Sequence, residues 1–138
     1  MYAVRYYSRT GNTKALAEAM AKAIDVEAVS VDEPDAELKE YVDVLFIGGA
    51  LYKYGLDENL TEYLKGIDPD KVGKAVLFST TWFSKHSLEL MIKELTAKGI
   101  ELDNGAFYVR GKPSKTQLRA AKEFAQEHIA VEDEEDEE

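Results

Sequence analysis

The chain of 138 residues contains no cysteine, only three prolines, one tryptophan and two histidines. The absence of cysteine excludes disulfide bonds, thiolate metal sites and cysteine nucleophiles. Long apolar runs are also absent. The longest, residues 44–52, has nine residues, whereas a membrane-spanning helix needs about 20. Since the first residues show no charged-then-apolar leader pattern, we expect a cytoplasmic protein that does not contact membranes.

Basic residues are outnumbered, because 27 Asp and Glu face 17 Lys and Arg, for a formal charge of −10. Seven of the acids form the uninterrupted run Glu132–Glu138, and without it the charge is −3. A block of like charges repels itself and buries nothing. We therefore predict one domain over residues 1–130 and a disordered acidic tail over residues 131–138. This charge balance also argues against nucleic acid as a partner.

Five apolar segments rich in β-branched or aromatic residues alternate with segments of helical periodicity. Continuous apolar runs such as residues 44–47 are typical of strands that helices cover on both faces. The alternation predicts a doubly wound α/β fold with a five-stranded parallel sheet and five helices. The second helix, around residues 36–41, has the weakest pattern. The predicted strands are Tyr2–Tyr7, Val26–Val31, Val44–Gly48, Ala75–Ser79 and Ala106–Val109.

Two helix ends have recognisable capping residues. Gly99 follows the fourth helical segment, where a left-handed glycine commonly ends a helix. Ser114 and Gln117 have the spacing of a capping box at the start of the last helix. These residues predict where the fourth helix ends and where the last helix begins.

A polar segment separates the first strand from the first helix. A helix N-terminus presents unpaired amide groups and the positive end of its dipole, so a tight loop there can bind a phosphate. No lysine completes a nucleoside-triphosphate motif, which favours a terminal phosphomonoester. The same residue types also occur in ordinary turns and helix caps, and this is the alternative interpretation. The candidate phosphate contacts are Ser8, Arg9, Thr10, Gly11, Asn12 and Thr13.

Four of these residues, Ser8, Thr10, Gly11 and Thr13, match the pattern Ser/Thr-x-Thr-Gly-x-Thr, and the segment resembles the phosphate loop of the flavodoxin family. The resemblance covers roughly residues 1–130. It implies the flavodoxin-like strand order 2-1-3-4-5 and flavin mononucleotide (FMN) as cofactor. It further implies a monomeric, low-potential one-electron carrier between redox partner proteins, rather than a stand-alone enzyme.

In such a sheet, ligands bind beyond the carboxyl ends of the strands, where the strand order reverses. This rule selects Ser8–Thr13 and two further loops, residues 49–57 and 80–87. A flavin ring is a flat, largely apolar plate that aromatic side chains can cover on both faces. Tyr52 or Tyr54 could cover one face, and Trp82 the other. The predicted contacts in these two loops are Ala50, Leu51, Tyr52, Lys53, Tyr54, Gly55, Thr80, Thr81, Trp82 and Phe83.

Three features depart from the usual family pattern. The third loop contains no glycine, and Leu56 separates Gly55 from Asp57 in the second loop. Gly55 is the position that matches the family's switch peptide, whose carbonyl turns towards the flavin on reduction. Arg5 lies in the central strand, where it needs a carboxylate or several carbonyl groups as partners.

The charges in the three loops are a further departure. Four basic residues face two acids there, and a unit charge about 6 Å away contributes roughly 0.7 to 2.8 kcal/mol. We expect a less negative reduction potential than in acidic flavodoxins, unless these side chains point away from the ring. The residues are Arg9, Lys53, Lys85 and His86 against Asp57 and Glu58.

Three other classes have a related fold. An FMN-dependent oxidoreductase, of the quinone reductase or protoporphyrinogen oxidase type, is the leading alternative. It usually has an added loop or an oligomer interface for its substrate, and no insertion is obvious in this chain. Receiver domains need an acid at the end of the third strand, where this chain has Gly48 and Gly49. Low-molecular-weight tyrosine phosphatases need the cysteine that is absent.

Overall fold

The computed structural model describes residues 1–52, 55–81 and 86–136. Helices and strands alternate over much of the described chain, but no α-helix separates the strands Ala28–Ser30 and Val42–Gly49. The described residues also form two short 3-10 turns, Pro34–Ala36 and Pro69–Lys71. The elements are β1 (Tyr2–Tyr6), α1 (Asn12–Ala23), β2 (Ala28–Ser30), β3 (Val42–Gly49), β4 (Leu51–Tyr52), β5 (Gly55–Leu56), α2 (Glu58–Gly66), β6 (Val72–Thr80), α3 (His86–Ala97), β7 (Leu102–Val109) and α4 (Lys115–Asp136).

Five strands of the described chain form a parallel sheet in the order β2-β1-β3-β6-β7. When these strands are numbered by themselves, the order is 2-1-3-4-5, so the predicted fold is confirmed. Strand β2 is shorter than predicted, whereas β3, β6 and β7 are longer. The strand order reverses between β1 and β3, which pair from Tyr2↔Val44 to Tyr6↔Gly48. Their carboxyl ends therefore lie side by side.

The core lies on both faces of this sheet. Successive residues of a strand point to opposite faces. Leu45 and Ile47 accordingly pack with the apolar residues of α2 and α3, whereas Val44 and Phe46 pack with those of α1 and α4. Each of these β3 side chains is completely buried. Full burial of such a side chain stabilises the fold by roughly 1.5 to 3 kcal/mol. Because both faces of β3 are buried, its sequence is a continuous apolar run.

The second predicted helix does not form, and this corrects the prediction of five helices. The chain between β2 and β3 makes only the 3-10 turn Pro34–Ala36 and becomes extended at Glu37. The carbonyl of Ala36 accepts hydrogen bonds from Arg5 Nε at 2.8 Å and from the Tyr63 hydroxyl at 2.5 Å. In an α-helix this carbonyl would accept from the amide four residues later. Hydrogen bonds from side chains of β1 and α2 replace that backbone bond. A helix of six residues would also form too few backbone hydrogen bonds to offset the free-energy cost of nucleation.

These contacts also identify the partners of Arg5. Its Nε donates to Ala36, and another guanidinium nitrogen donates to the carbonyl of Val4 at 3.0 Å. Backbone carbonyls therefore accept both bonds. A cavity of about 540 Å³ lies between residues 31–38 of this crossover and α2.

The last helix begins as predicted and extends beyond the predicted domain boundary. The Ser114 amide donates to Gln117 Oε1 at 2.9 Å, and the Gln117 amide donates to Ser114 Oγ at 3.1 Å, which confirms the capping box. Helix α4 continues to Asp136 and so includes residues 131–136 of the predicted tail. The division into a domain and a disordered tail stays a prediction. Within the described residues, no helix combines the length and apolar composition needed to cross a membrane.

Candidate functional site

The loop between β1 and α1 is a tight turn onto a helix N-terminus. Gly11 is the N-cap of α1 and has the left-handed φ of 93°, which a residue with a Cβ adopts only at a cost. Its amide donates to Ser8 Oγ at 3.0 Å, and its carbonyl accepts from the Ala15 amide at 3.0 Å. Thr10 is exposed at the tip of the loop. The first amides of α1 have no partner within the helix, so the loop presents donors to an anion.

Thr13 joins this loop to the end of β6. Its hydroxyl lies 2.7 Å from the hydroxyl of Thr80, and the two residues are 1% and 5% exposed. Both were predicted as cofactor contacts. In the structure their hydroxyl groups satisfy each other in the interior, at the base of the loop. The pair therefore fixes the distance between the first and third loops.

The second loop forms a small antiparallel hairpin beyond the end of β3. Leu51 pairs with Leu56, and Tyr52 pairs with Gly55. The Leu51 amide donates to Thr81 Oγ1 at 3.3 Å, which joins this hairpin to the third loop. Ala50 is buried beneath it. The predicted contacts Lys53 and Tyr54 lie outside the described residues.

Gly55 has an ordinary backbone conformation in this hairpin. Its φ is not positive, and an added Cβ would meet no atom within 4 Å. The static structure thus contains no steric requirement for glycine at this position. The switch-peptide hypothesis for residues 54–55 stays a prediction.

Arg9 contacts the second loop in three ways. Its guanidinium group donates to Asp57 Oδ2 at 2.8 and 2.5 Å, and the guanidinium carbon lies 4.0 Å from the centre of the Tyr52 ring. Its backbone amide donates to the Tyr52 hydroxyl at 2.9 Å. The first and second loops are therefore connected by a charged, aromatic and hydrogen-bonded contact.

All three groups of this contact have pKa values that depart from their ordinary ones. Burial acts to raise the pKa of Asp57, but hydrogen bonds from Asn59 and Arg9 outweigh it and leave that pKa below its ordinary value. The hydrogen bond to Asp57 raises the pKa of Arg9. Burial raises the pKa of Tyr52. The pair is therefore ionised and Tyr52 is neutral at neutral pH.

This pairing leaves the net charge of the three loops as counted from the sequence, because both Arg9 and Asp57 are in that count. Arg9 and Asp57 neutralise each other. His86 Nδ1 lies 3.0 Å from Glu89 Oε2. Lys53 and Lys85 lie outside the described residues, and the expected reduction potential stays a prediction.

The base of the third loop is held by buried hydroxyl groups. Ser79 Oγ donates to the Gly49 carbonyl at 2.7 Å and lies 2.6 Å from Ser87 Oγ. The Tyr108 hydroxyl donates to the Thr81 carbonyl at 2.7 Å. Trp82 and Phe83, the predicted aromatic contacts, lie outside the described residues, so stacking by Trp82 stays a prediction. Among the described residues, no group of acids and histidines could hold a metal ion.

Sequence reasoning did not include Asp57, Ser79, Ser87 or Tyr108 among the site residues. Ser79 and Ser87 had a signal in the sequence, because polar residues that end or follow a buried apolar strand are typical of loop anchors. Asp57 precedes a helical pattern, which is typical of an N-cap, and its side chain indeed accepts from the Asn59 amide. Tyr108 had no comparable signal.

The two glycines at the end of β3 lie against side chains of the core. A Cβ at Gly48 would overlap the Phe78 ring, and one at Gly49 would overlap the end of the Leu60 side chain. The larger side chain of a receiver-domain acid would therefore require these neighbours to move. This agrees with the exclusion of that class from the sequence.

Comparisons with known proteins agree with this geometry. A family model described as a flavodoxin domain matches residues 3–138. Among curated protein sequences, none matches this chain significantly. A flavodoxin from the domain Archaea is 24% identical, with a TM-score of 0.70 over 91% of this chain and 94% of that one. Flavodoxin 1 from Bacillus cereus is 18% identical, with a TM-score of 0.75 over 94% and 97% of the two chains.

A larger protein also contains this fold. Rubredoxin oxygen:oxidoreductase from Desulfovibrio gigas is 16% identical, with a TM-score of 0.74 over 91% of this chain but only 34% of that one. At such identities the likeness to solved structures concerns the fold alone.

Proposed function

Since this chain belongs to the flavodoxin family, we propose that it binds FMN and carries single electrons between redox partner proteins. FMN is the cofactor that a flavodoxin domain implies. The observation that carries the proposal is the convergence of three loops beyond the carboxyl ends of β1, β3 and β6. Direct hydrogen bonds join them, from Thr13 to Thr80, from Arg9 to Tyr52 and from Leu51 to Thr81. Three loops held together in this way can bind the two ends of one ligand.

The first loop fits the phosphate of FMN. It has a left-handed glycine at the N-cap of a twelve-residue helix, and an added Cβ at Gly11 would meet nothing within 4 Å. The space above the loop is therefore open to a ligand. We assign the phosphate to the amides at the start of α1 and to the hydroxyl groups of Ser8 and Thr10.

The second and third loops are where the ring would lie. Tyr52 is the one predicted stacking residue among the described residues, and it is half-buried beside the phosphate loop. Bound FMN supplies one-electron transfer, while the protein sets its position, its exposure and its electrostatic surroundings. The protein itself positions Tyr52. The buried hydrogen bonds of Thr13 with Thr80 and of Ser79 with Ser87 hold the bases of the loops and exclude water from them.

Short connections favour a carrier over a stand-alone enzyme. Eight residues, 50–57, join β3 to α2, and five residues, 81–85, join β6 to α3. A carrier needs only a bound flavin with an exposed edge, whereas an oxidoreductase also has to hold a second substrate. Neither connection contains an added segment for that purpose.

A second candidate is a flavin domain that acts within an oxidoreductase. The observation that favours it is the fold of the Desulfovibrio gigas oxidoreductase, about a third of which matches this chain. Steady turnover of NAD(P)H with a quinone by the purified chain would instead favour a stand-alone FMN-dependent oxidoreductase of the quinone reductase type.

Titration of the flavin-free protein with FMN and with riboflavin tests binding of the phosphate and of the flavin ring. Riboflavin lacks the phosphate, so we expect FMN to bind at least tenfold more tightly. Thr10→Asp places a negative charge at the loop, where repulsion of about 1.4 kcal/mol or more weakens FMN about tenfold. Riboflavin binding should change by less than about threefold, since no phosphate is repelled.

The matched control is Thr116→Asp, because Thr116 is an exposed threonine in the first turn of α4. It should leave both affinities unchanged. Protein that binds neither flavin would overturn the proposal. For the carrier role, stepwise anaerobic photoreduction of the loaded protein should show one-electron reduction as a separate spectral stage.

A further inference from the structure

Arg9 contacts two residues of the second loop, Asp57 and Tyr52. Asp57 is 6% exposed, whereas the Arg9 side chain is 51% exposed. Besides Arg9, the carboxylate accepts from the Asn59 amide at 2.8 Å and from Asn59 Nδ2 at 3.0 Å. It thereby caps α2. Asp57 is thus a fixed anchor, and the exposed Arg9 side chain is positioned by it.

Arg9 contacts Tyr52 through both its main chain and its side chain. The amide holds the phenol oxygen at 2.9 Å, and the guanidinium carbon lies 4.0 Å from the ring centre. A guanidinium group that lies over an aromatic ring is attracted electrostatically to the face of that ring. The two contacts together restrict both rotation of the ring and movement of the hydroxyl. One ring face is covered by Arg9, so the opposite face is the one a ligand can stack on.

Arg9 belongs to the phosphate loop, but Tyr52 belongs to the hairpin of β4 and β5. The described residues of that hairpin form two pairs, which are too few for stability by themselves. Its position therefore depends on contacts with neighbouring groups. The guanidinium group, held by Asp57, is such a contact.

We propose that Arg9 is a positioning residue that clamps Tyr52 against the phosphate loop and so holds the aromatic face for the flavin ring. This inference rests on the proposed function, because it concerns the same site. It assigns the Arg9 side chain to the ring end of the ligand, although Arg9 lies in the loop that binds the phosphate. Any residue type is allowed at position 9 of the phosphate-loop pattern. The pattern therefore does not specify this arginine, and the clamp is a feature of this chain.

The test compares FMN with riboflavin. If Arg9 acts on the ring through Tyr52, Arg9→Ala weakens both ligands by the same factor, roughly 3- to 30-fold. The visible absorption band of bound riboflavin should also shift, because stacking has changed. Arg119→Ala, which removes an exposed arginine of α4, is the matched control and should change neither quantity.

Two further variants examine the anchor. Asp57→Asn keeps a good helix cap but removes the charge that holds the guanidinium group. It should reproduce the effect of Arg9→Ala, and the double variant should be no weaker than the weaker single one. Arg9→Lys keeps the charge but not the planar group, so it should restore only part of the affinity. Far-UV circular dichroism of each variant verifies folding.

The outcomes separate this inference from the proposed function. Wild-type protein that binds neither ligand would overturn the proposed function. If Arg9→Ala weakens FMN but leaves riboflavin unchanged, Arg9 acts on the phosphate and the clamp is wrong. Tighter binding by Arg9→Ala, or unchanged affinities with an unchanged spectrum, would equally overturn it.

Discussion

Arg5 Nε donates a 2.8 Å hydrogen bond to the carbonyl oxygen of Ala36, 31 residues away. The contact ties the central strand to a crossover that has no α-helix. The Tyr63 hydroxyl donates to the same oxygen from α2, so one carbonyl joins three parts of the fold. Burial raises the pKa of Tyr63, which keeps its hydroxyl protonated as a donor at neutral pH.

The first prediction concerns this shared carbonyl. Tyr63→Phe removes one of two donors and should lower the free energy of unfolding by about 0.5 to 1.5 kcal/mol. Arg5→Met in the same chain leaves the carbonyl without a donor, so the double variant should lose more than the sum of the single losses. Urea denaturation measures each value. Tyr41→Phe, at an exposed tyrosine, is the control, and an additive double variant would contradict the prediction.

The second prediction concerns the buried Thr13–Thr80 pair. Thr13→Val leaves the Thr80 hydroxyl buried without its partner, and we expect a loss of about 1 to 3 kcal/mol. Adding Thr80→Val removes the second polar group as well, so the double variant should recover most of this stability. Thermal and urea unfolding of the ligand-free protein measure the cycle. A double variant less stable than both single variants would show that the hydroxyl groups do not satisfy each other.

The third prediction concerns pH and the ion pair of Arg9 with Asp57. Burial opposes ionisation of Asp57, but its hydrogen bonds outweigh burial and lower its folded-state pKa below the ordinary 3.8. The unfolded chain therefore binds a proton more readily than the folded one. Stability from this group is complete above pH 3.8 and is lost as the pH falls through the lowered folded-state pKa.

Comparison with Asp57→Asn isolates this effect. Because asparagine does not titrate, the difference in unfolding free energy between wild type and variant should be constant above about pH 5 and shrink below pH 3.8. Urea denaturation between about pH 2.5 and 6 measures the difference. A difference that stays constant down to the lowest pH would contradict the lowered pKa.

The fourth prediction concerns the close packing of Gly48 against Phe78. Gly48→Ala would overlap the ring and should destabilise the protein by about 1 to 3 kcal/mol. Gly48→Ala with Phe78→Leu should lose less than the two single losses together, because the smaller side chain makes space. Gly66→Ala is the control, since a Cβ there meets nothing within 4 Å. If Gly48→Ala changes the free energy of unfolding no more than Gly66→Ala does, the overlap is relieved without loss of stability and the prediction is wrong.

The fifth prediction concerns the acidic end of α4. Residues 132–136 are all acidic, and negative charges near a helix C-terminus repel each other and oppose the helix dipole. We expect the amides of residues 131–136 to exchange with solvent much faster than those of residues 117–129, and added salt should reduce the difference. Hydrogen exchange measures both. Equal protection along the helix would contradict the prediction that the packed domain ends near residue 130.

Much of the fold followed from local patterns. Continuous apolar strands and amphipathic helices were predictable because burial on both faces of a parallel sheet imposes them on the sequence. The second helix was predicted wrongly, because its six residues had a weak helical pattern and nothing local showed that Arg5 and Tyr63 compete for the Ala36 carbonyl. The capping box of α4 was predicted correctly because Ser114 and Gln117, only three positions apart, satisfy each other.

The strand order was implied by the resemblance to the flavodoxin family. The sequence by itself determined the alternating strands and helices of a parallel sheet, and a first loop whose glycine adopts the left-handed conformation. These depend on side-chain period and backbone freedom, which neighbouring residues specify. Only the tertiary structure decided that Arg9 is neutralised by Asp57 and that Thr13 is satisfied by Thr80. Those partners lie 48 and 67 residues away, and a contact at such a separation leaves no trace in local periodicity. The loops could be identified from the sequence, whereas the bonds between them could not.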